Sequence, residues 1–368
     1  MVEAQLLSNG RRFSKKWLDF CYGSEMSMQK QKECLAFTKR EQEMIKVFLE
    51  DMDSYSLKSA RFRRLNRKTQ FRRVDMAARK ALLRNGKRLF RILRRATRVP
   101  VSSLRDLFGD DFSLHLTLDE QTRKFPWELA YDGQSFLCNQ YDVGRRPLHD
   151  IGKIERYSGS KPEHRKALVV GLSYKWLSDE PFTSKREALQ VAKQLSKKNY
   201  SSILLRDEKA SCEEVMNVLS EGVSIFHFTG HGAYRKNQPR GKRGLIQLYD
   251  GNLTEDDLAE CFRKAKGAPF LTFLNACQSA KEIYSSPMMD MFIELGAECT
   301  IGTLWSVYDY PSTRFSERFY SEIVNGQTIG HALQLARWSI QKRSFTEAAT
   351  WPSFVLYGNP DLRLSRAP

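Results

Sequence analysis

The sequence predicts an α/β protein in which a mostly parallel β-sheet is flanked by helices on both faces and preceded by a basic N-terminal helical segment. Three observations predict it. Short continuous apolar runs recur after residue 160, helical segments separate most of them, and the excess positive charge lies before residue 106. A strand with one wet face alternates apolar and polar residues, so a continuous apolar run marks a strand covered on both sides, as in parallel sheets.

From residue 24 to 97 the pattern is helical: Phe71, Val74, Ala78, Ala81 and Leu82 share one face, which Leu89, Ile92, Leu93 and Ala96 continue. Asn85-Gly86 is expected to kink or break this run, and Pro100 to end it. Phe112, Leu114, Leu116 and Leu118 then alternate with polar residues, the signature of a half-buried strand, and a short β element is expected through Trp127 and Phe136. The buried strands are expected at 167–172, 203–205, 225–228, 270–274 and 300–305, with helices at 185–197, 213–219 and 255–264. Right-handed crossovers would bring the strand carboxyl ends to one edge, where open α/β sheets carry their sites.

With 368 residues, 41% of them hydrophobic and 28% charged, the chain can bury a sizeable core, which excludes disordered and fibrous classes. Its net charge of +17 is unevenly placed: residues 1–105 hold 27 Lys and Arg against 10 Asp and Glu, whereas residues 106–368 hold 33 of each. Residues 58–105 alone carry 18 basic residues and one acid, Asp75. Such a field suits an acidic protein or a nucleic-acid partner, with a merely solvated helix face as the blander alternative. Phe62, Leu65, Phe71, Leu89 and Phe90 fall on the apolar face, a pattern of amphipathic helices rather than of base-stacking platforms.

No stretch approaches the roughly 18 apolar residues of a membrane span, so none is expected. Residues 1–16 lack the apolar core of a secretory signal, and a cytoplasmic location is expected. The seven cysteines form no CxxC pair, which argues against a disulfide framework or a structural zinc site and for a reducing compartment.

Two buried strands run directly into chemically unusual tails. One reads IFHFTGHGAY and carries His231 between two glycines; the other reads FLTFLNACQSA and carries Cys277. Neighbouring parallel strands lie about 4.8 Å apart, so a His at one strand end and a Cys at the next can meet across a substrate carbonyl. The imidazole would take the thiol proton or stabilise the thiolate, which is the nucleophilic form. His227, four residues before His231 on a strand, is about 13 Å away along the chain, too far to share a metal ion, and reads as a core residue.

These motifs resemble the CHAT-domain branch of the caspase and separase clan of cysteine proteases. FPWELAYDG, FTGHGAY, LNACQS, TIGTLWSVYD and WPSFVLYGNPDL all resemble segments of that family, over roughly residues 75–365. The resemblance implies a caspase-like α/β fold, with a basic helical region at 1–70 and a peptidase domain at 71–368. It implies a cysteine endopeptidase that works through a His231/Cys277 dyad and an acyl-enzyme, with no cofactor, metal or nucleotide. The backbone N–H groups of Gly232 and Cys277 would form the oxyanion hole. Asn275 stands where the caspase counterpart helps line the substrate pocket, and Asp309 stands where similar separase sequences carry acids, some lining a pocket for basic P1 side chains. Asp309 also reads as an acid capping a helix that starts near Ser312. The cysteine motif departs from the caspase form at Asn275 and Ser279, so aspartate specificity is not implied. The loop after His231, AYRKNQPRGKRG, offers basic bonds for self-cleavage or is simply solvated. The rivals to a peptidase are a catalytically silent interaction scaffold and a nucleic-acid- or acidic-partner-binding regulator.

Overall fold

The computed structural model describes residues 2–8, 15–22, 31–36, 38–96, 102–109, 113–119, 122–147, 165–172, 184–235, 237–239, 241–276, 287–307, 309–341 and 347–364; before residue 38, and at residues 96, 287 and 309, only the backbone is described. The chain opens with strands β1 (Val2–Ser8), β2 (Lys15–Tyr22) and β3 (Gln31–Ala36), then two long helices, α1 (Lys39–Arg64) and α2 (Lys68–Ala96). After α3 (Leu104–Phe108) come β4 (Ser113–Leu118), α4 (Leu137–Gln140) and β5 (Asp142–Pro147). The alternating part follows: β6 (Lys166–Gly171), α5 (Ser184–Ser196), β7 (Ser201–Arg206), α6 (Cys212–Glu221) and β8 (Ile225–Gly230). A small three-stranded sheet of β9 (Gly232–Tyr234), β10 (Gly244–Gln247) and β11 (Asn252–Thr254) leads into α7 (Glu255–Lys264) and β12 (Leu271–Ala276). The chain closes with α8 (Pro287–Glu294), β13 (Cys299–Thr303), α9 (Asp309–Val324), α10 (Ile329–Gln341) and β14 (Phe354–Gly358).

The main sheet has the order β3-β2-β1-β4-β5-β14-β13-β12-β8-β6-β7. It is mostly parallel; the antiparallel pairs are β13 with β14, β1 with β2 and β2 with β3. Every residue of β12 and of β13 is buried, as continuous apolar runs require when helices cover both faces. Helix α5 packs on β6, β7 and β8 and against α9, which packs on α10; α6, α7 and α8 form a second layer that reaches the sheet through α8 on β13. Aromatic rings fill the centre: Phe315 of α9 stacks on Phe354 of β14 with ring centres 4.0 Å apart, and Phe273 of β12 lies within 5.8 Å of the Phe319, Tyr320 and Phe354 rings. Arg145 on β5 is fully buried and is held by both oxygens of Glu128 at 2.6 Å and by the carbonyls of Arg123 and Phe125. A buried guanidinium so completely paired avoids the cost of a desolvated charge.

Three local expectations are corrected. Residues 31–36, read as helical, form β3, and β1 pairs in parallel with β4, so the first strands continue the main sheet. The segment after Pro126 forms a 3₁₀ turn at Trp127–Leu129 and a single antiparallel bridge between Tyr131 and Phe136 rather than a β element. Asn85-Gly86 does not break α2, which runs unbroken from Lys68 to Ala96. Asn85 turns its amide back onto the Ala81 carbonyl within the helix. Gly86 is there for contact: a Cβ at this position would lie 2.6 Å from the Leu129 carbonyl oxygen and 2.8 Å from Cβ of Tyr131. The Gly86 carbonyl in turn accepts from Tyr131 N at 3.0 Å, which fixes α2 against the Trp127 turn.

Gly86→Ala tests this reading. Alanine favours the helix by about 1 kcal/mol, but overpacking against backbone costs about 1–3 kcal/mol. The expected result is a lower urea midpoint at unchanged m-value; a stabilised variant would mean that the contact yields freely.

Candidate functional site

Parallel pairing of β8 with β12 runs from Ile225 opposite Leu271 to Gly230 opposite Ala276. The residues that follow this last pair in sequence are His231 and Cys277. His231 is half-buried in the turn between β8 and β9; its carbonyl accepts from Gln247 N at 2.9 Å, and Gly232 pairs with Ile246 of β10. The small sheet therefore anchors the backbone on either side of the imidazole. Cys277 lies outside the described residues. The strand end that precedes it is fixed by Thr303 of β13, whose hydroxyl donates to the Ala276 carbonyl at 2.8 Å.

Burial, and next the charge of Arg64, push the His231 imidazole below its ordinary pKa of 6.5. Both effects disfavour the imidazolium, so the ring is held neutral at pH 7, the form that can take a proton. Arg64 comes from the last turn of α1, within the basic stretch 58–105 whose charge suggested either a partner surface or a solvated face. In fact the α1–α2 hairpin abuts the segments that follow the sheet's carboxyl edge. Asp53 accepts from Ser306 N at 2.7 Å, just beyond β13, and the Phe48 ring meets Trp305 edge-on at 6.4 Å. Arg63 lies over Phe71 and Tyr310 and pairs with Glu347 at 3.6 Å. Asp75 accepts from Ala348 N at 2.9 Å, and its burial raises the carboxyl pKa to about 6. No pattern in the sequence marks Asp53, Arg64 or Asp75 as neighbours of this edge, since each sits in an ordinary amphipathic helix.

Asn275 is 5% exposed, and its amide nitrogen contacts the Glu187 carboxylate oxygens at 2.9 and 2.8 Å. Glu187, in the first turn of α5, also accepts from Thr313 Oγ1 at 3.0 Å and lies 3.2 Å from Nε2 of His227. Burial works against this carboxylate, but His227, Asn275 and Ser316 together hold it below the usual carboxylate range. His227 is buried, with Tyr320 edge-on to its ring at 5.2 Å, and belongs to the core. The sequence offered no signal for Glu187, which reads as one more charge on a surface helix. Asp309 is the first residue of α9, which starts there rather than near Ser312. The loop after His231 folds back as a hairpin: Arg235 N donates to Arg243 O at 2.7 Å, and Gly244 N donates to the buried Glu255 carboxylate at 2.9 Å. Cleavage within this loop would first have to open these bonds.

The family model for the CHAT domain matches residues 84–359. The chain belongs to the CHAT domain family. No curated protein sequence matches this CHAT chain. Among solved structures it is similar to the Arg-specific cysteine proteinase gingipain R, at 12% identity and a TM-score of 0.54 over 75% of this chain and 68% of that one. The complex of Porphyromonas gingivalis RgpB pro- and mature domains gives 13% identity and a TM-score of 0.53, covering 75% and 69%. The Saccharomyces cerevisiae separase-securin complex gives 12% identity and a TM-score of 0.60, covering 98% of this chain and 30% of that chain. At these identities the likeness establishes the fold, which is the caspase-like α/β arrangement. Among the described residues, no helix of the CHAT chain is long and apolar enough to cross a membrane.

Removing the Arg64 charge should move His231. In Arg64→Gln the imidazole midpoint, followed by NMR, is expected to rise while staying below 6.5, because burial is the larger cause. An unchanged or lowered midpoint would dissociate the hairpin from the site's electrostatics.

Proposed function

We propose that this CHAT chain is a cysteine endopeptidase in which His231 and Cys277 form the catalytic dyad. The observation that carries the reading is the pairing of β8 with β12 through Gly230 and Ala276, the residues immediately before the dyad. His231 takes the Cys277 proton, and the thiolate adds to the scissile carbonyl carbon to give a tetrahedral oxyanion. The N–H groups of Gly232 and Cys277 stabilise that oxygen. The protonated imidazole then gives its proton to the departing amine, leaving an acyl-enzyme that water hydrolyses with His231 again as base. In this reading Asn275 and Asp309 line the pocket for the P1 side chain, and the Asp309 carboxylate selects a basic one.

Cys277→Ala and His231→Ala should each abolish cleavage in a peptide library while leaving the melting temperature within about 2 °C. Near wild-type turnover in either variant would sink the dyad. P1 profiling beside Asp309→Ala completes the test, because an Arg preference that survives the substitution removes Asp309 from the pocket. Selective labelling of Cys277 by a thiol probe separates the peptidase from a silent scaffold of the same fold.

The partner reading is an acidic protein segment held by the exposed face of α2. Arg72, Arg73, Lys80, Arg84 and Lys87 all face solvent there. Arg63 is occupied with Glu347, Phe71 and Tyr310, and so does not belong to that face. Reversing Arg72, Arg73, Lys80 and Arg84 to Glu should weaken partner capture by at least about tenfold and spare cleavage of short peptides; loss of both together would assign the face a structural role.

A further inference from the structure

Helices α1 and α2 enclose a cavity of about 370 Å³, within the range of about 300–1,000 Å³ that ligand pockets occupy. Met44, Val47 and Phe48 of α1 give it an apolar wall, and Arg40 of α1 with Arg84 and Arg88 of α2 give it a basic one. The apolar wall is open, for Val47 is 45% exposed beside the buried Phe48. Phe48 is backed by the Trp305 ring, so this floor is already built before anything binds. None of the three arginines has a carboxylate partner among the described residues. Burial, and then the charges of Arg84, Arg91 and Arg40, push the Arg88 guanidinium below its ordinary pKa. Like charges three and four residues apart on a helix cost stability, which an anion seated among them would offset.

Two acids share the cavity and give it polarity. Glu43 is paired with Lys46 at 3.3 Å, whereas Asp51 stands nearly three turns beyond Arg40 on α1. The hairpin, with Glu41 paired to Arg95, sets Asp51 level with Arg84 and leaves the surplus positive charge at the Arg40–Arg88 end. A nucleic-acid strand carries charge at every nucleotide and would bring a phosphate against Asp51; a peptide can place carboxylates only where the arginines are. The buried Phe48 also offers no open ring on which a base could stack.

We propose that the groove between α1 and α2 is a docking site for an acidic peptide segment of a partner protein, its carboxylates on Arg40 and Arg88 and an apolar anchor side chain packed on Met44, Val47 and Phe48. Charge-assisted pairs at the arginines orient the segment, and the anchor takes the exposed Val47 surface out of water. This deepens the acidic-partner reading and rests on it for the class of partner. It makes a different claim, that affinity is set by an apolar anchor in a groove, which a charged helix face alone does not provide.

The test uses the full chain and fluorescein-labelled peptides of about twelve residues, read by anisotropy at about 0.15 M salt. One peptide carries four glutamates beside a single leucine, a second replaces that leucine by alanine, and oligothymidine of equal length is the nucleic-acid probe. Wild type is expected to bind the leucine peptide about tenfold more tightly than the alanine peptide. Arg40→Gln and Arg88→Gln should each weaken both peptides by about fivefold. Val47→Ser, at an exposed position, should weaken the leucine peptide selectively and shrink the leucine preference to about threefold. Arg263→Gln, which removes an exposed charge on α7, should leave binding within about twofold. No saturable binding, an unchanged leucine preference in folded Val47→Ser, or unchanged affinity in both arginine variants overturns the proposal. A wild-type dimer that Val47→Ser dissociates would give the groove to a second copy and overturn it as well. If reversing Arg72, Arg73 and Lys80 to Glu abolishes binding that the groove variants leave intact, the groove falls and the acidic-partner reading survives on the α2 ridge; tighter binding of oligothymidine sinks both.

Discussion

The register between β8 and β12 is the constraint on which the rest of the carboxyl edge depends. Side chains on a strand alternate faces, so a slip of one residue would turn His227, Thr229, Phe273 and Asn275 to the opposite layer of the sheet. The slip is blocked on both sides. Phe273 is wedged among Phe319, Tyr320 and Phe354, and Asn275 is tied to Glu187. The same pairing that fills the core thereby sets the level at which His231 leaves the sheet, and Thr303 pins the other strand end through the Ala276 carbonyl.

Two buried anions show how differently charge is used in this fold. Glu128 is matched by a single guanidinium, Arg145, whose remaining N–H groups go to two carbonyls and the Tyr357 hydroxyl, so the pair is closed and presents nothing outward. Glu187 has no arginine or lysine on its oxygens among the described contacts; it accepts from the Asn275 amide and the Thr313 hydroxyl, with His227 Nε2 3.2 Å away. Buried ion pairs seldom add much stability over apolar packing of the same volume. The first arrangement nevertheless anchors β5 to the Trp127 turn, whereas the second ties the end of β12 to α5 and α9.

Legibility in the sequence followed the range of the interaction involved. The five strands and the helices between them were readable because each leaves a local pattern, although β7, at the edge of the sheet, buries only Leu205 instead of both its faces; 255–264 was placed residue for residue, and the structure caps that helix with a Thr254–Asp257 capping box. His231 stood out because a glycine-flanked histidine at the end of an apolar run is locally anomalous, and Cys277 because a cysteine just past the end of a neighbouring apolar run offers it a partner. Gly86 was misread because a glycine next to asparagine signals a break when only neighbours in sequence are considered, whereas its reason is a carbonyl oxygen 43 residues away at Leu129. Glu187 was invisible for the same reason: its partners lie 88 and 126 residues further on. The strands before residue 37 carry lysines, glutamates and glutamines that blur the two-residue period, and nothing local announces that β1 will find β4.

The location of the net charge takes on a different meaning once α1 and α2 are seen as a wall of the site. Their outward face carries the basic excess, while their inward face makes bonds to the segments just beyond β13 and before β14: Asp53 to Ser306, Arg63 to Glu347 and Asp75 to Ala348. A displacement of the hairpin relative to the sheet cannot be absorbed by side chains alone, because two of these bonds end on backbone N–H groups. Shifting the hairpin therefore means shifting the backbone at Ser306 and Ala348 or breaking the bonds. Forces applied by an acidic partner to the outer face would be delivered to the chain that leads into α9, where Thr313 holds Glu187. Charge outside and hydrogen bonds inside make the hairpin and the edge of the sheet one mechanical unit, a coupling that a flexible basic tail with the same composition would not provide.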